Sequence, residues 1–218
     1  MNQISINISQ PWSETRPLEP REHSTWTHRT NLQMLASIVD ELFQKCDADD
    51  NRSIIVVELG TWLGATTNFL CSLAKPVKVI SVDLWDSEDI KAGNQVIPFA
   101  QIEKLVQQND LFDIFQSNVW QYREQIVPLK MTTVQGLAAI ALENVMPDVI
   151  YIDANHTYND VRNEIDCSIA LFGLSPVLCG DDYKWLGVRQ AVDEAAQRYN
   201  MSVETIENHT WRLVPNQQ

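Results

Sequence analysis

The acidic residues with the clearest chemical use in this chain stand where short apolar runs end. In VVELGTWLGATT, Glu58, Gly60 and Gly64 lie on a turn leading from such a run into a segment of helical period. Gly60 can take positive φ and let a ligand approach the backbone, and Gly64 lets the next helix begin close by. Glu58 sets the sign of that ligand, since a carboxylate repels a pyrophosphate and attracts an ammonium. Trp62 crowds the same place. Asp83 closes the run VKVISVD, where an acidic side chain can accept both hydroxyl hydrogens of a ribose. Together these features point to an adenosine-bearing ligand with a cationic end. The plainer use of the same residues is helix capping and a tight turn.

A second set lies further along, in IDANHTY and GDDYKWLGVRQAV. If the two runs preceding them are sheet neighbours, Asp153, Asp181 and Asp182 converge above one sheet edge. Three carboxylates with water and substrate oxygens make a hard oxygen site suited to magnesium. A cation would also relieve the repulsion between adjacent carboxylates. His156, three residues beyond Asp153, then faces the substrate as a general base, because an imidazole titrates near neutrality. Turn formation and solvation are the competing uses of these residues.

The elements that must hold these groups in place follow from periodicity. Residues 53–59, 77–83, 126–131, 147–153 and 176–181 are short apolar runs rich in β-branched residues, which predicts five buried parallel strands. Between them, 65–74, 101–108, 134–144, 158–172 and 188–199 carry helical spacing, as does 30–46 ahead of the first strand. This alternation predicts an α/β fold, a Rossmann-like doubly wound and mostly parallel sheet of seven strands. SVETIE and HTWRLVP are joined too tightly for a crossover helix and predict an antiparallel edge hairpin. The chain reads as one domain: an N-terminal arm and helix over 1–46, a core over 53–214, and an insertion over 84–122. The insertion is longer than one crossover needs, which suggests a lid near the site or a contact with a second copy of the chain. Trp85, Phe99, His23, Trp26 and His28 are candidate pocket walls, with packing the favoured role for the tryptophans.

Composition narrows the partners. Of 218 residues, 44% are hydrophobic and 21% charged, as in an ordinary globular domain. The formal net charge is −13 and no Lys/Arg cluster interrupts it, which argues against nucleic acid and anionic membranes as partners. Cys46, Cys71, Cys167 and Cys179 have neither CxxC nor zinc-ligand spacing and read as reduced core residues of a cytoplasmic protein. The opening residues carry no signal-peptide pattern, and no apolar run approaches the roughly 20 residues of a membrane span.

In order and spacing, VELGTWLGATT, VISVDLWD, LKMTT, DVIYIDANHTYNDVRNEI and GDDYKWLGVRQAVDE resemble the class I S-adenosylmethionine-dependent methyltransferases. The likeness is to the small metal-dependent O-methyltransferases of natural-product pathways, and it covers about Ser53 to Tyr199. The resemblance implies that Glu58, Gly60, Thr61 and Gly64 hold the methionine part of the cofactor. It places the ribose on Asp83 and the adenine near Thr133. It also assigns Asp153, beside the cofactor, to a magnesium ion with Asp181 and Asp182, and makes His156 the base. Some relatives carry Glu then Asp where this chain has Asp181 then Asp182, so the shorter side chain changes the reach at position 181. The activity implied is methyl transfer to a small-molecule hydroxyl, with a sugar or catechol-like diol as the class of acceptor. A catalytically inactive cofactor-binding or assembly protein on the same fold is the alternative. A dinucleotide oxidoreductase would want a GxGxxG turn with no preceding acid, and this chain has neither.

Overall fold

The computed structural model describes residues 11–18, 27–45, 52–88 and 100–216. Seven strands form one sheet: β1 (Ile54–Leu59), β2 (Val77–Asp83), β3 (Ile126–Lys130), β4 (Val149–Ile152), β5 (Val177–Gly180), β6 (Met201–Ile206) and β7 (Thr210–Pro215). Their spatial order is β3-β2-β1-β4-β5-β7-β6. Six run parallel, and β7 runs antiparallel between β5 and β6. The expected hairpin is present, with β6 as the outer edge.

The helices are α1 (Arg29–Lys45), α2 (Ala65–Ser72), α3 (Ala100–Gln108), α4 (Leu111–Val119), α5 (Thr133–Leu142), α6 (Tyr158–Phe172) and α7 (Leu186–Arg198). A short 3-10 turn, Trp120–Gln125, leads into β3. Because side chains alternate along a strand, the sheet feeds two cores. On one face Val56, Val79 and Tyr151 pack with Leu35 and Ile38 of α1, Leu70 of α2 and Phe115 of α4. On the other, Val57, Ile80 and Ile150 pack with α5, α6 and α7. Helices on both faces make the sheet doubly wound, as the alternating pattern predicts.

The described part of the insertion packs into the first core, and Trp85 takes the packing role favoured for it. The stripe Leu111, Phe112, Ile114, Phe115 and Val119 is buried in the first core, so α4 is part of the scaffold connecting β2 to β3 and not a cover over the site. Trp85 is also buried, with its ring 4.8 Å from Phe112 and 4.7 Å from Phe115, so it is a packing residue. Phe99, His23, Trp26 and Cys46 lie outside the described residues. Cys71 and Cys179 are buried and Cys167 is half-buried, all three as free thiols. Among the described residues no helix is long and apolar enough to cross a membrane.

Strand order reverses between β1 and β4, and such a switch point opens a crevice beyond the carboxyl ends of the strands. The ends there are held level by backbone hydrogen bonds. Gly60 N donates to Val82 O at 2.9 Å, Asp153 N to Leu59 O at 2.8 Å, and Asp181 N to Ile152 O at 3.1 Å. The register pairs Ile152 with Gly180, so Asp153 and Asp181 are the next residues on adjacent chains.

Candidate active site and metal centre

Of the two acids at the β5 tip, Asp181 is the more firmly held. Its Oδ2 accepts from Asn31 Nδ2 at 2.7 Å, its Oδ1 accepts from Asp182 N at 2.6 Å, and its carbonyl accepts from Trp211 Nε1 at 3.0 Å. Trp211 can lie across the strand only because Gly180 has no side chain: a Cβ there would sit 2.6 Å from the indole. Asp182 takes a left-handed φ of 55°, and its carbonyl accepts from Trp185 N at 2.8 Å. That conformation is uncommon for a residue other than glycine, although Asp tolerates it better than most.

Two histidines close on this pair. His156 Nε2 is 2.9 Å from Asp182 Oδ2, and His209 Nδ1 is 2.7 Å from Asp181 Oδ1. Both ring nitrogens are buried at charge-contact distance, and neither has a well-directed hydrogen bond. Burial, the largest single effect, pushes the Asp182 carboxyl up, but the His156 contact together with the His209 and Lys184 charges outweighs it and the net shift is downward. The same contact raises the His156 pKa against the opposing effect of burial. Asp153, whose Oδ2 accepts from Tyr151 OH at 3.1 Å, is driven well above the usual carboxylate range by burial and then by the charges of Asp181 and Asp182. Such a group is stabilised as an anion by a cation placed among the three.

The β4 and β5 tips therefore bring Asp153, His156, Asp181 and Asp182 together. The expected grouping of three carboxylates is not what their ligand atoms form. Atoms within 4.8 Å of one another make two sets, Asp153–His156–Asp182 and Asp181–Asp182–His209, which share Asp182. Asp153 and Asp181 fall into different sets.

On the β1 side the glycines have structural duties. Gly60 has φ 83°, and a Cβ there would stand 2.3 Å from Asp153 O and 2.5 Å from Ala154 Cα, so it lets the β1 turn meet the β4 tip. Gly64, φ 85°, lies against Val119 and Phe115 of α4. Asp83 reaches under the turn: Oδ2 accepts from Thr61 N at 2.9 Å and Trp62 N at 2.8 Å, and Oδ1 from Trp85 N at 2.7 Å. Glu58 faces the first core, where its carboxylate accepts from the Thr67 hydroxyl. It is 1% exposed, and burial, with the Asp83 charge adding to it, pushes its pKa up to about 8 against the Thr67 hydrogen bond. Thr61 Oγ1 is buried with no hydrogen-bond partner.

Thr133, at the first turn of α5, donates its hydroxyl to Glu164 Oε1 at 2.7 Å. Glu164 is buried, its Oε2 has no partner, and desolvation raises its pKa to about 7. His28 packs against His209 with ring centroids 4.0 Å apart and the planes tilted by 32°, which puts it beside the site. Trp185, half-exposed, has its ring 5.2 Å from that of His156. Asn31, Glu164, Trp185 and His209 are site neighbours that motif spacing did not single out. For His209 the one available signal was its place at the junction of the two tail strands.

A family model for a methyltransferase domain matches residues 57–183, from the end of β1 through both acidic tips. The chain belongs to the methyltransferase-domain family. Solved structures with the methyltransferase fold agree. CalS11, a calicheamicin methyltransferase, is 12% identical, with 89% of this chain and 80% of that one covered at a TM-score of 0.55. Precorrin-6y C5,15-methyltransferase from Geobacter metallireducens GS-15 is 8% identical, with 89% and 90% covered at 0.54. Ribosomal protein L11 methylase from Lactobacillus delbrueckii subsp. bulgaricus is 11% identical, with 88% and 80% covered at 0.53. These methyltransferases bear the names of different acceptors, so the shared fold carries no choice of substrate. No curated protein matches the sequence.

Proposed function

We propose that this methyltransferase-domain protein transfers the methyl group of S-adenosylmethionine to a hydroxyl of a small molecule with the help of a divalent cation. The observation that carries this reading is the juxtaposition of Asp153, His156 and Asp182 at the β4 and β5 tips, beside the glycine turn of β1. The cofactor side fits the residues present. Thr61 Oγ1 is a buried polar atom lacking a partner, and Asp83 Oδ1, which accepts from Trp85 N, is the carboxylate oxygen not engaged by the Thr61 and Trp62 amides and is the one offered to a ribose hydroxyl. Glu58, buried beneath the turn with its pKa pushed up to about 8, would become anionic near neutrality only with a cation such as an ammonium brought against it.

When bound, the cofactor supplies an electrophilic methyl and the divalent cation supplies acidification of an acceptor hydroxyl. The chain has to hold the acceptor oxygen in line and remove its proton. Asp182 and Asp153 carry the charge that holds a cation at the tips, with magnesium the ion their carboxylates favour. His156 is placed to accept the proton at Nε2 once Asp182 is engaged elsewhere, because the Asp182 contact is the main cause that raises the imidazole pKa. A ring diol, as in a sugar or catechol, offers one hydroxyl to react and a neighbour to chelate. Cytoplasmic placement accords with the free thiols.

Calorimetric titration with S-adenosylhomocysteine and with NAD, followed by radiolabelled methyl transfer to sugar and catechol diols with and without a chelator, tests the reading. Binding of the first ligand alone and chelator-sensitive transfer are expected, with transfer lost in Asp153→Ala and His156→Ala while cofactor binding is kept. Failure to bind S-adenosylhomocysteine overturns it. Full activity in both variants overturns the metal and base roles.

A further inference from the structure

Every grouping of ligand atoms at these tips contains one imidazole nitrogen. We propose that His209 Nδ1 is itself a ligand of the cation, with Asp181 and Asp182, and that the seat selects a borderline transition ion over magnesium. This rests on the metal-assisted reading above, moves the seat across Asp182 from the Asp153–His156–Asp182 group to the neighbouring one, and changes the ion it takes. Carboxylates alone suit magnesium, whereas an imidazole adds affinity for cobalt, nickel and zinc far more than for a hard cation.

Four observations place His209 in the coordination sphere. Its Nδ1 stands 2.7 Å from Asp181 Oδ1, close to the roughly 3 Å that separates two ligand atoms at right angles about 2.1 Å from an ion. That nitrogen is buried and has no hydrogen bond, so the contact is a charge contact and not a well-aimed imidazole–carboxylate bond. The ring is held before any ion arrives. His209 ends a tight turn in which Glu207 and Asn208 have φ of 52° and 54° and His209 N donates to Ile206 O at 3.0 Å. Its carbonyl accepts from Tyr183 N at 2.7 Å, tying the turn to the residue after Asp182, and His28 covers one ring face. Finally, Asn31 occupies Asp181 Oδ2 and leaves Oδ1 turned toward His209, the kind of outer partner that orients a ligating carboxylate. His156, at 34% side-chain exposure against 12% for His209, is the freer ring and keeps the role of base.

Ligation through Nδ1 puts the ring proton on Nε2, which lies 3.4 Å from the exposed Lys184 ammonium. Lys184 must then swing into solvent, so it opposes the ion and its removal favours binding.

The test is calorimetric titration of the full chain, without cofactor, with cobalt(II) and magnesium chlorides. His209→Gln is expected to weaken cobalt binding at least about tenfold and magnesium binding less than about twofold, while His156→Gln leaves cobalt within about threefold and Lys184→Ala binds it no more weakly than the native chain. Pulsed electron paramagnetic resonance of bound manganese in the His156→Gln protein should show nitrogen coupling, which decides the matter even where His209→Gln fails to fold. Equal weakening of both ions by His209→Gln, no weakening of cobalt, or absence of nitrogen coupling overturns the proposal. S-adenosylhomocysteine binding measured alongside separates the readings. If the cofactor product binds and the cobalt result fails, only this inference falls; if it does not bind, the proposed function falls.

Discussion

Replacing Gly60 by alanine tests the contact on which the whole site is built. The substitution forces a side chain onto a backbone at φ 83°, a left-handed cost of about 1–2 kcal/mol. It also drives the new Cβ to 2.3 Å from Asp153 O and 2.5 Å from Ala154 Cα, which are backbone atoms of the β4 tip and cannot rotate away. Gly64→Ala is the control. It pays the same conformational cost at φ 85°, but its Cβ meets Val119 Cγ1 at 2.7 Å and Phe115 Cδ2 at 3.0 Å, side chains that can shift. Overpacking of that kind adds about 1–2 kcal/mol, for a total near 3 kcal/mol. At about 2–4 °C per kcal/mol for a chain of this size, Gly64→Ala should melt about 6–12 °C lower than the native protein.

Gly60→Ala should lose at least as much, and it should lose something Gly64→Ala keeps. To accommodate the methyl, the β1 turn and the β4 tip must separate, which moves Thr61 and Asp153 apart. Differential scanning calorimetry measures the first effect and titration with S-adenosylhomocysteine the second. A Gly60→Ala protein that melts within about 2 °C of the native one refutes the contact between the turn and the tip.

Three further outcomes follow from the same geometry. Glu58 has its folded-state pKa raised from 4.5 to about 8 by burial, so its contribution to stability is present at low pH and is lost as pH rises through that window; the melting temperature should fall more steeply between about pH 5 and 8 in the native chain than in Glu58→Gln, and parallel curves would remove Glu58 as the cause. Asp153→Asn should raise the melting temperature of the cation-free protein at pH 7, because it deletes a carboxylate that burial and its neighbours disfavour, and should weaken stabilisation by added divalent ions; a lower melting temperature would contradict this account of the tips. Asn31→Ala removes the bond that orients Asp181 and should cost about 1–3 kcal/mol in denaturant unfolding while weakening divalent binding about 10- to 100-fold; unchanged binding would show that Asp181 needs no orienting partner.

What the sequence made legible is what depends on near neighbours. The strands and the helices over 158–172 and 29–45 are visible as period two or period 3.6, since each period is set by which side of a backbone faces a core. The alignment of Asp153 with Asp181 was accessible too, because one crossover helix separates their strands and parallel neighbours keep register. The insertion was legible only in part. Its second half carries apolar residues at 111, 112, 114, 115 and 119, a stripe that serves a lid and a core helix equally well until the space beneath α2 is known to be filled by it.

The residues that escaped notice share one property, distance along the chain. Asn31 reaches Asp181 across 150 positions, and Thr210, the first residue of β7, bonds Thr30 across 180. Neither pairing has a period or a motif, because both arise only when β7 slots between β5 and β6 and carries the turn before it up to the tips. That placement gives the candidate site a division of labour. The glycine turn, Asp83 and Asp153 belong to segments within the family match, whereas the side chains that contact Asp181, those of Asn31, His209 and Trp211, come from α1, the β6–β7 turn and β7, outside residues 57–183. Under the proposed reading, the residues that would set this chain's own cation preference therefore lie toward the two ends of the sequence, outside the family match.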